Sequence, residues 1–156
     1  MNQFFLRQAV AADAIAIAAL TREAYEIYIP LIGREPLPMR VDYALALQSN
    51  SFWLLENHEE IVALLELQLF EDHLLIVNVA VKPNFQGLGL GKRLLLLAES
   101  EAQRFERLEL KLYTNERFVK NISIYLGLGY VETHRQKMPE STTETVYLKK
   151  VLLTQG

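Results

Sequence analysis

The sequence predicts a mixed α/β (α+β) fold, one central sheet with helices on both faces. Three observations lead there. Seven runs have the length and composition of strands, four segments carry apolar residues at helical spacing or helix-boundary signals, and turn residues separate them. No linker, internal repeat or low-complexity tract divides the chain, so all 156 residues are expected to form one domain, 1–156, large enough to bury a core.

Phe4 to Val10 reads as the first strand, with imperfect alternation. Asp13 is the expected N-cap of a helix whose apolar face is Ile17, Leu20, Ala24 and Ile27, and that helix is expected to fail near Pro30. Gly33, Pro36 and Pro38 then make a loop. A shorter helix is predicted from about Arg40 to Gln48, ending before the Ser49-Asn50-Ser51 turn. Phe52–Leu55 and Ile61–Phe70 read as strands joined by the polar hairpin Glu56 to Glu60. The strand His73–Val81 contains an apolar run with little alternation, which predicts cover on both faces. Pro83 ends it.

The next helix, Gly89 to Phe105, turns Leu94, Leu95, Ala98, Ala102 and Phe105 inward and Lys92, Arg93, Glu99, Gln103 and Arg104 outward. Leu108–Thr114 alternates as a strand. A helix from Glu116 to Leu126 is closed by Gly127 and Gly129, and strands Tyr130–Gln136 and Thr142–Leu152 complete the order.

Composition narrows the function classes. Apolar residues make up 51% of the chain and charged residues 22%, an ordinary globular balance. A net charge of -3, with lysine and arginine scattered, gives no reason to expect nucleic acid. Cysteine is absent, which removes disulfides, thiolate metal sites and a cysteine nucleophile, and fits a reducing compartment. His58, His73 and His134 show no metal-ligand spacing, so no metal is expected. The first residues lack the pattern of a secretory signal, and no apolar stretch approaches the roughly 20 residues of a membrane span. The default location is cytoplasmic, with no membrane partner.

The informative stretch is Val79-Ala80-Val81-Lys82-Pro83-Asn84-Phe85-Gln86-Gly87-Leu88-Gly89-Leu90-Gly91-Lys92-Arg93. A strand runs into a glycine-rich turn and a helix begins at once. Backbone N–H groups of such a turn, with the unpaired amides and positive dipole end of the helix, make an anion site. By itself, the glycine cluster reads equally well as a tight turn. A P-loop would need glycine where Gln86 stands and a hydroxyl residue where Arg93 stands. A dinucleotide fingerprint would need glycine in place of Lys92.

The segment Gln86-Gly87-Leu88-Gly89-Leu90-Gly91 resembles the Gln/Arg-x-x-Gly-x-Gly/Ala signature of the GNAT acetyltransferase superfamily. Asn78 to Pro83 resembles that family's fourth strand, and Asn121 to Tyr130, with Tyr125-x-x-x-Gly129-Tyr130, resembles its second motif. The resemblance spans about residues 4 to 152. It implies a mostly antiparallel sheet of about seven strands and direct transfer of an acetyl group from acetyl-CoA to a primary amine, of a small molecule or a protein, without a metal.

In that reading Val77–Val81 splays from Leu108–Leu112. The backbone of Val79, Ala80 and Val81 meets pantetheine as an added strand would, and Gln86, Gly87, Leu88, Gly89, Leu90, Gly91 and Lys92 hold the pyrophosphate. Tyr125 is the implied general acid for the departing thiolate, whose parent thiol resembles free cysteine at about 8.5, against about 10 for a phenol. Spacing alone says instead that Tyr125 packs with Phe118 and Ile122. Asn121, one turn before Tyr125, is preferred to Asn115 for the pantetheine arm. For the general base Glu66, Glu71, Asp72 and Glu109 all stand as candidates, Glu66 being the first choice. Tyr28, Arg34 and Met39, in the Tyr25–Met39 region, are expected at the acceptor wall. The competing function is a non-catalytic acyl-CoA-binding regulatory module of the same fold. A monomer or a homodimer fits either.

Overall fold

A computed structural model describes residues 3–153 of the protein; residues 1–2 and 154–156, the ends of the expected 1–156 domain, lie outside the described residues. Strands β1 (Phe5–Gln8), β2 (Ser51–Glu56), β3 (Ile61–Leu69), β4 (Leu74–Val81), β5 (Glu109–Asn115), β6 (Val131–Lys137) and β7 (Glu144–Val151) form one sheet in the order β1-β2-β3-β4-β5-β7-β6. Every neighbouring pair is antiparallel except β4 and β5, which are parallel. The helices are α1 (Ala14–Tyr25), the single turn α2 (Ile29–Ile32), α3 (Tyr43–Ser49), α4 (Leu90–Arg104) and α5 (Val119–Gly127). The expected mixed, mostly antiparallel sheet with helices on both faces is what forms.

Two apolar layers hold the helices to the sheet. Ile17, Leu20 and Ala24 of α1 pack with Tyr43 of α3 against Phe52, Leu54, Leu64 and Ala80. On the other face Leu94, Leu95, Ala98 and Ala102 of α4 pack against Leu65, Leu67, Leu74, Ile76 and Leu110. The strand covered on both faces is β3, whose residues Val62–Leu67 are all buried. The sequence points to β4 instead. There alternate residues are only half-buried, because β4 borders the cleft described below.

The α1 region departs from expectation in two ways. Asp13 does not cap α1 by its side chain; it closes a 3₁₀ turn, Ala11–Asp13, and its carboxylate accepts from the Val10 amide at 2.7 Å. Arg7 of β1 also donates to both Asp13 oxygens at 2.9 Å. Asp13 therefore ties the first strand to the first helix. The Arg7 hydrogen bonds hold its carboxyl below the usual range, against a smaller desolvation effect. Asp13→Ala is expected to cost about 1–2 kcal/mol in a denaturant titration. With a depressed folded pKa, that contribution is full above the unfolded carboxyl value of about 3.9 and is lost as pH falls through the folded one.

Second, Pro30 does not stop the helical path. It lies in the first turn of α2, where a missing N–H is harmless, and Gly33 ends the segment. The intervening 3₁₀ turn Glu26–Tyr28 rotates the apolar face, which leaves Ile27 65% exposed and turns Tyr25 and Tyr28 toward the sheet's splayed edge. The second helix starts at Tyr43 rather than Arg40, because Asp42 caps it by accepting from the Ala44 and Leu45 amides. The last helix likewise starts at Val119, after the Asn115 side chain has turned the chain by accepting from Arg117 N.

Candidate functional site

β4 and β5 pair only at Leu74↔Leu110 and Leu75↔Lys111, then part. On its other side β4 stays paired with β3 up to Val81, with an extra residue, Val77, inserted between the pairs Glu66↔Asn78 and Leu67↔Ile76. This bulge exchanges the faces of β4. Ile76 packs toward α4, whereas Asn78 and Ala80 face α1 and Val79 and Val81 take the α4 side.

The Lys82 amide donates to Val62 of β3. Because amide direction alternates along a strand, the amides of Val79 and Val81 point the other way, into the splay, where β5 has already left. Ala80 lines the same space, yet its amide turns toward β3.

Below this edge the chain enters the glycine-rich turn. Gly87 and Gly89 have φ of +80° and +81°, and Gly89 is the N-cap of α4. A Cβ at either position would meet nothing within 4 Å, so backbone conformation rather than space within the protein favours glycine. Among the described residues, no protein acceptor takes the amides of Gly87, Leu88, Gly89, Leu90, Gly91 or Lys92, and helical bonding resumes with Arg93 N to Gly89 O. Gln86 differs: its amide is engaged by Pro83 O, and its side chain donates to Val81 O at 3.1 Å, which pins the turn to β4. The cradle of free amides therefore runs from Gly87 to Lys92, one residue shorter than the sequence suggests. Leu88 contributes its amide only, its side chain being 54% exposed. Gly89→Ala forces a left-handed alanine and is expected to cost about 1–2 kcal/mol of stability, read by denaturant midpoint, and to weaken anion binding, read by calorimetry.

Two cavities meet at the splay. One, of about 530 Å³, follows β4, the glycine-rich turn and α5; among the described residues its only charged lining is Lys92 and Lys120. In a chain of net charge -3, a hollow whose lining charges are all positive is suited to an anionic ligand. The second, of about 330 Å³, lies under the α2–α3 connection and is lined by Arg34, Leu37, Tyr43, Glu66, Asn78 and Tyr113 among others. Tyr25, Val79, Asn121 and Tyr125 line both, so they mark the junction. A larger hollow of about 700 Å³ lies at the β1–β2 edge and shares no lining residue with these two. Both of its cations are already paired, Arg7 with Glu56 at 3.0 Å and Lys82 with Glu60 at 2.7 Å.

Tyr125 reaches the junction because α5 ends in a tight reversal. The Gly129 amide bonds Leu126 O and the Tyr130 amide bonds Tyr125 O, with Gly129 at φ +96°. The Tyr125 and Tyr130 rings meet edge to face at 6.0 Å. Burial pushes the Tyr125 phenol up to about 12. Of the packing partners expected of Tyr125, Phe118 also lies tilted against Tyr28, with ring centroids 4.2 Å apart.

Of the two asparagines, Asn121 lines both cavities. Asn115 lines only the smaller one, with its amide donated to Thr143 Oγ1 at 2.8 Å. Of the four carboxylates, Glu66 alone lines the smaller cavity. It is 3% exposed, accepts from Asn50 Nδ2 at 2.8 Å, and is held above the usual carboxylate range by burial, with the Asn50 bond pulling the other way. Glu71 is exposed, Asp72 pairs with His73, and Glu109 pairs with Lys111 and Lys149. Of the three residues expected at the acceptor wall, Arg34 lines the smaller cavity, Tyr28 lines the larger one, and Met39 packs into the α1–α3 core.

Three site residues carried no assigned role in the sequence. Tyr25 donates to Asn78 Oδ1 at 2.6 Å, and Asn78, 4% exposed, lines the smaller cavity. Lys120 adds the second cation to the larger cavity. Asn78 was visible as the one polar residue inside an apolar strand; Tyr25 and Lys120 had no signal of that kind.

Among the described residues no group of three or more His, Cys, Asp or Glu side chains is placed to hold a metal, and no helix is long and apolar enough to cross a membrane. No curated protein matches the chain in sequence. Solved structures do match it in fold. The PaiA N-acetyltransferase of Thermoplasma acidophilum, in complex with coenzyme A, has a TM-score of 0.78 at 18% identity, over 96% of this chain and 99% of that one. The ribosomal-protein-S18-alanine N-acetyltransferase of Escherichia coli has 0.79 at 17%, over 99% and 97%. A GNAT family acetyltransferase from Elizabethkingia anophelis with acetyl-CoA bound has 0.74 at 20%, over 96% and 98%. The model of the acetyltransferase (GNAT) family itself matches residues 17–130, a span from α1 to Tyr130 that contains the splay, the amide cradle and Tyr125, and the chain therefore belongs to the GNAT family of acetyltransferases.

Proposed function

We propose that the protein transfers the acetyl group of acetyl-CoA directly to a primary amine, with the larger cavity holding the cofactor and the smaller one the acceptor. The observation that carries this is the run of unclaimed amides from Gly87 to Lys92, opening into a cavity whose only charged lining residues are lysines. Unclaimed amides at a helix start suit a diphosphate. Val79 and Val81 offer strand amides to the pantetheine arm, and Asn121 offers a side-chain amide near the junction.

In this reading Glu66 takes the first proton from the acceptor ammonium. Nitrogen then attacks the thioester carbon, an N–C bond forms as the C–S bond breaks, and Tyr125 donates to the departing sulfur. The second proton of nitrogen returns to the Tyr125 phenolate, so one proton in total leaves through Glu66. A Val79 amide directed at the carbonyl oxygen steadies its growing charge. Arg34, and Tyr28 by way of its ring contact with Phe118, shape the acceptor entrance. The reading includes a cytoplasmic location, supported by the cysteine-free sequence, and a monomer or homodimer.

Calorimetry with CoA and thiol release from acetyl-CoA with an amine panel test it together. Binding plus release is the expected result. Binding with no release for any amine would assign the non-catalytic module, and no binding at all would remove the cradle.

A further inference from the structure

The acceptor cavity contains a buried donor with nothing to bond. Asn78 Nδ2 is fully enclosed and has no hydrogen-bond partner. Its other end is occupied: Tyr25 donates to Oδ1 at 2.6 Å, which turns the amide so that the N–H₂ is the free side. The neighbouring Tyr43 hydroxyl spends its own proton on Pro38 O at 2.7 Å. Leaving such a donor unpaired is costly, and because Asn78 lines the cavity a small shift of its amide brings Nδ2 to an acceptor atom from outside the chain.

Directly across the ladder stands Glu66, paired in register with Asn78. Side chains of opposed residues start about 4.5–5.5 Å apart at Cβ and share a face. Within the described residues, hydrogen bonding to Glu66 uses only Oε2. The cavity thus presents, side by side, one carboxylate that attracts an ammonium and one amide donor that needs a carbonyl. In an α-amino carbonyl compound the nitrogen and oxygen lie about 2.7–3.6 Å apart, from standard bond lengths. That spacing suits adjacent side chains.

Resting on the transfer reading above, we propose that the acceptor is an α-amino carbonyl compound, an amino acid or a peptide amino terminus, recognised jointly by Glu66 at its ammonium and Asn78 Nδ2 at its carbonyl oxygen. Tyr25 is the positioning residue that sets the direction of the Asn78 amide. Ile32, Leu37, Val41 and Met138 line the rest of the cavity and receive an apolar side chain. A plain alkylamine satisfies Glu66 and leaves Asn78 unpaired, so it is a poor acceptor.

The test compares matched acceptors by thiol release from acetyl-CoA, with rates expressed per unprotonated amine. Leucinamide is set against 3-methylbutylamine, phenylalaninamide against phenethylamine, and alaninamide against ethylamine. The expected result is a kcat/KM at least about tenfold higher for the better carbonyl compounds than for their partners. In Asn78→Leu that ratio falls below about threefold. Free leucine and a leucyl dipeptide, added as further arms, distinguish an amino-acid acceptor from a chain terminus; preference for either supports the proposal. Equal rates within every pair, or a ratio unchanged in Asn78→Leu, would overturn it while leaving acetyl transfer intact. Absence of release with every acceptor overturns the transfer reading instead. The wild-type ratio needs no variant, so it decides even where Asn78→Leu fails to fold.

Discussion

Tyr125→Phe is expected to lower kcat by about 100-fold or more, while the dissociation constant for acetyl-CoA moves by less than about threefold. The ring packs at the junction of two cavities and against Tyr130, and phenylalanine keeps those contacts. Only the hydroxyl is lost. Its donated proton matters when sulfur leaves, so the effect belongs to turnover rather than to binding. The structure makes this donor weaker than an ordinary phenol. Burial lifts Tyr125 to about 12, further above a thiol near 8.5 than the unperturbed value of about 10. A thiolate released into the same enclosed space is raised too, because desolvation opposes its charge as it opposes the phenolate's. The phenol therefore gives up its proton late, as charge develops on the sulfur, and regains one from nitrogen. A pH profile checks this: with Tyr125 near 12, no descending limb from this group appears below about pH 10. An unchanged kcat in the phenylalanine variant removes the assignment.

Glu66→Gln is expected to lower kcat/KM about 100-fold at pH 7 without loss of stability. Burial holds the Glu66 carboxyl above the usual range, which makes its anion a stronger base than a surface glutamate. That anion can relieve an ammonium of its proton. Wild-type kcat/KM then levels off between the Glu66 value and that of the amine. In the glutamine variant only amine that is already neutral reacts, so the rate climbs about tenfold per pH unit until the amine value is reached. Stability separates this from damage to the fold. A folded carboxyl raised above the unfolded value, about 4.3, contributes stability below that value and loses it as pH rises through the folded one. Above the folded value the buried anion is a cost, and glutamine retains the acceptor for Asn50 without it. A variant that is less stable at pH 7, or as active as wild type, refutes the role.

The order of elements was legible because each carries its own periodicity. The apolar face of α4, the alternation of β5 and the punctuation by Pro83 and Gly129 are local signals, and they place elements nearly where they lie. The glycine-rich turn was legible for the same reason: the free amides of Gly87 to Lys92 follow from residues adjacent in the chain. The register of β4 was not. A bulge at Val77 leaves no mark in an apolar run, and it decides that Asn78 faces α1 while Val79 faces the cleft. Asp13 misled because Asp before a helix usually caps it, whereas here Arg7 and the Val10 amide claim the carboxylate first.

Choices among chemically equivalent residues were closed to the sequence altogether. Glu66, Glu71, Asp72 and Glu109 are four carboxylates on or beside strands, and nothing local ranks them. Burial and a place on the smaller cavity separate Glu66 from the rest. The chain alone determined its family, its sheet-and-helix order and its glycine-rich turn, all properties of contiguous residues whose backbone does the work. Tertiary structure alone decided where β4 and β5 part, which side chains meet at the junction, and that Asn78 is left with a donor to offer. Those depend on contacts between residues distant in the chain, and pairing energy, not periodicity, selects them.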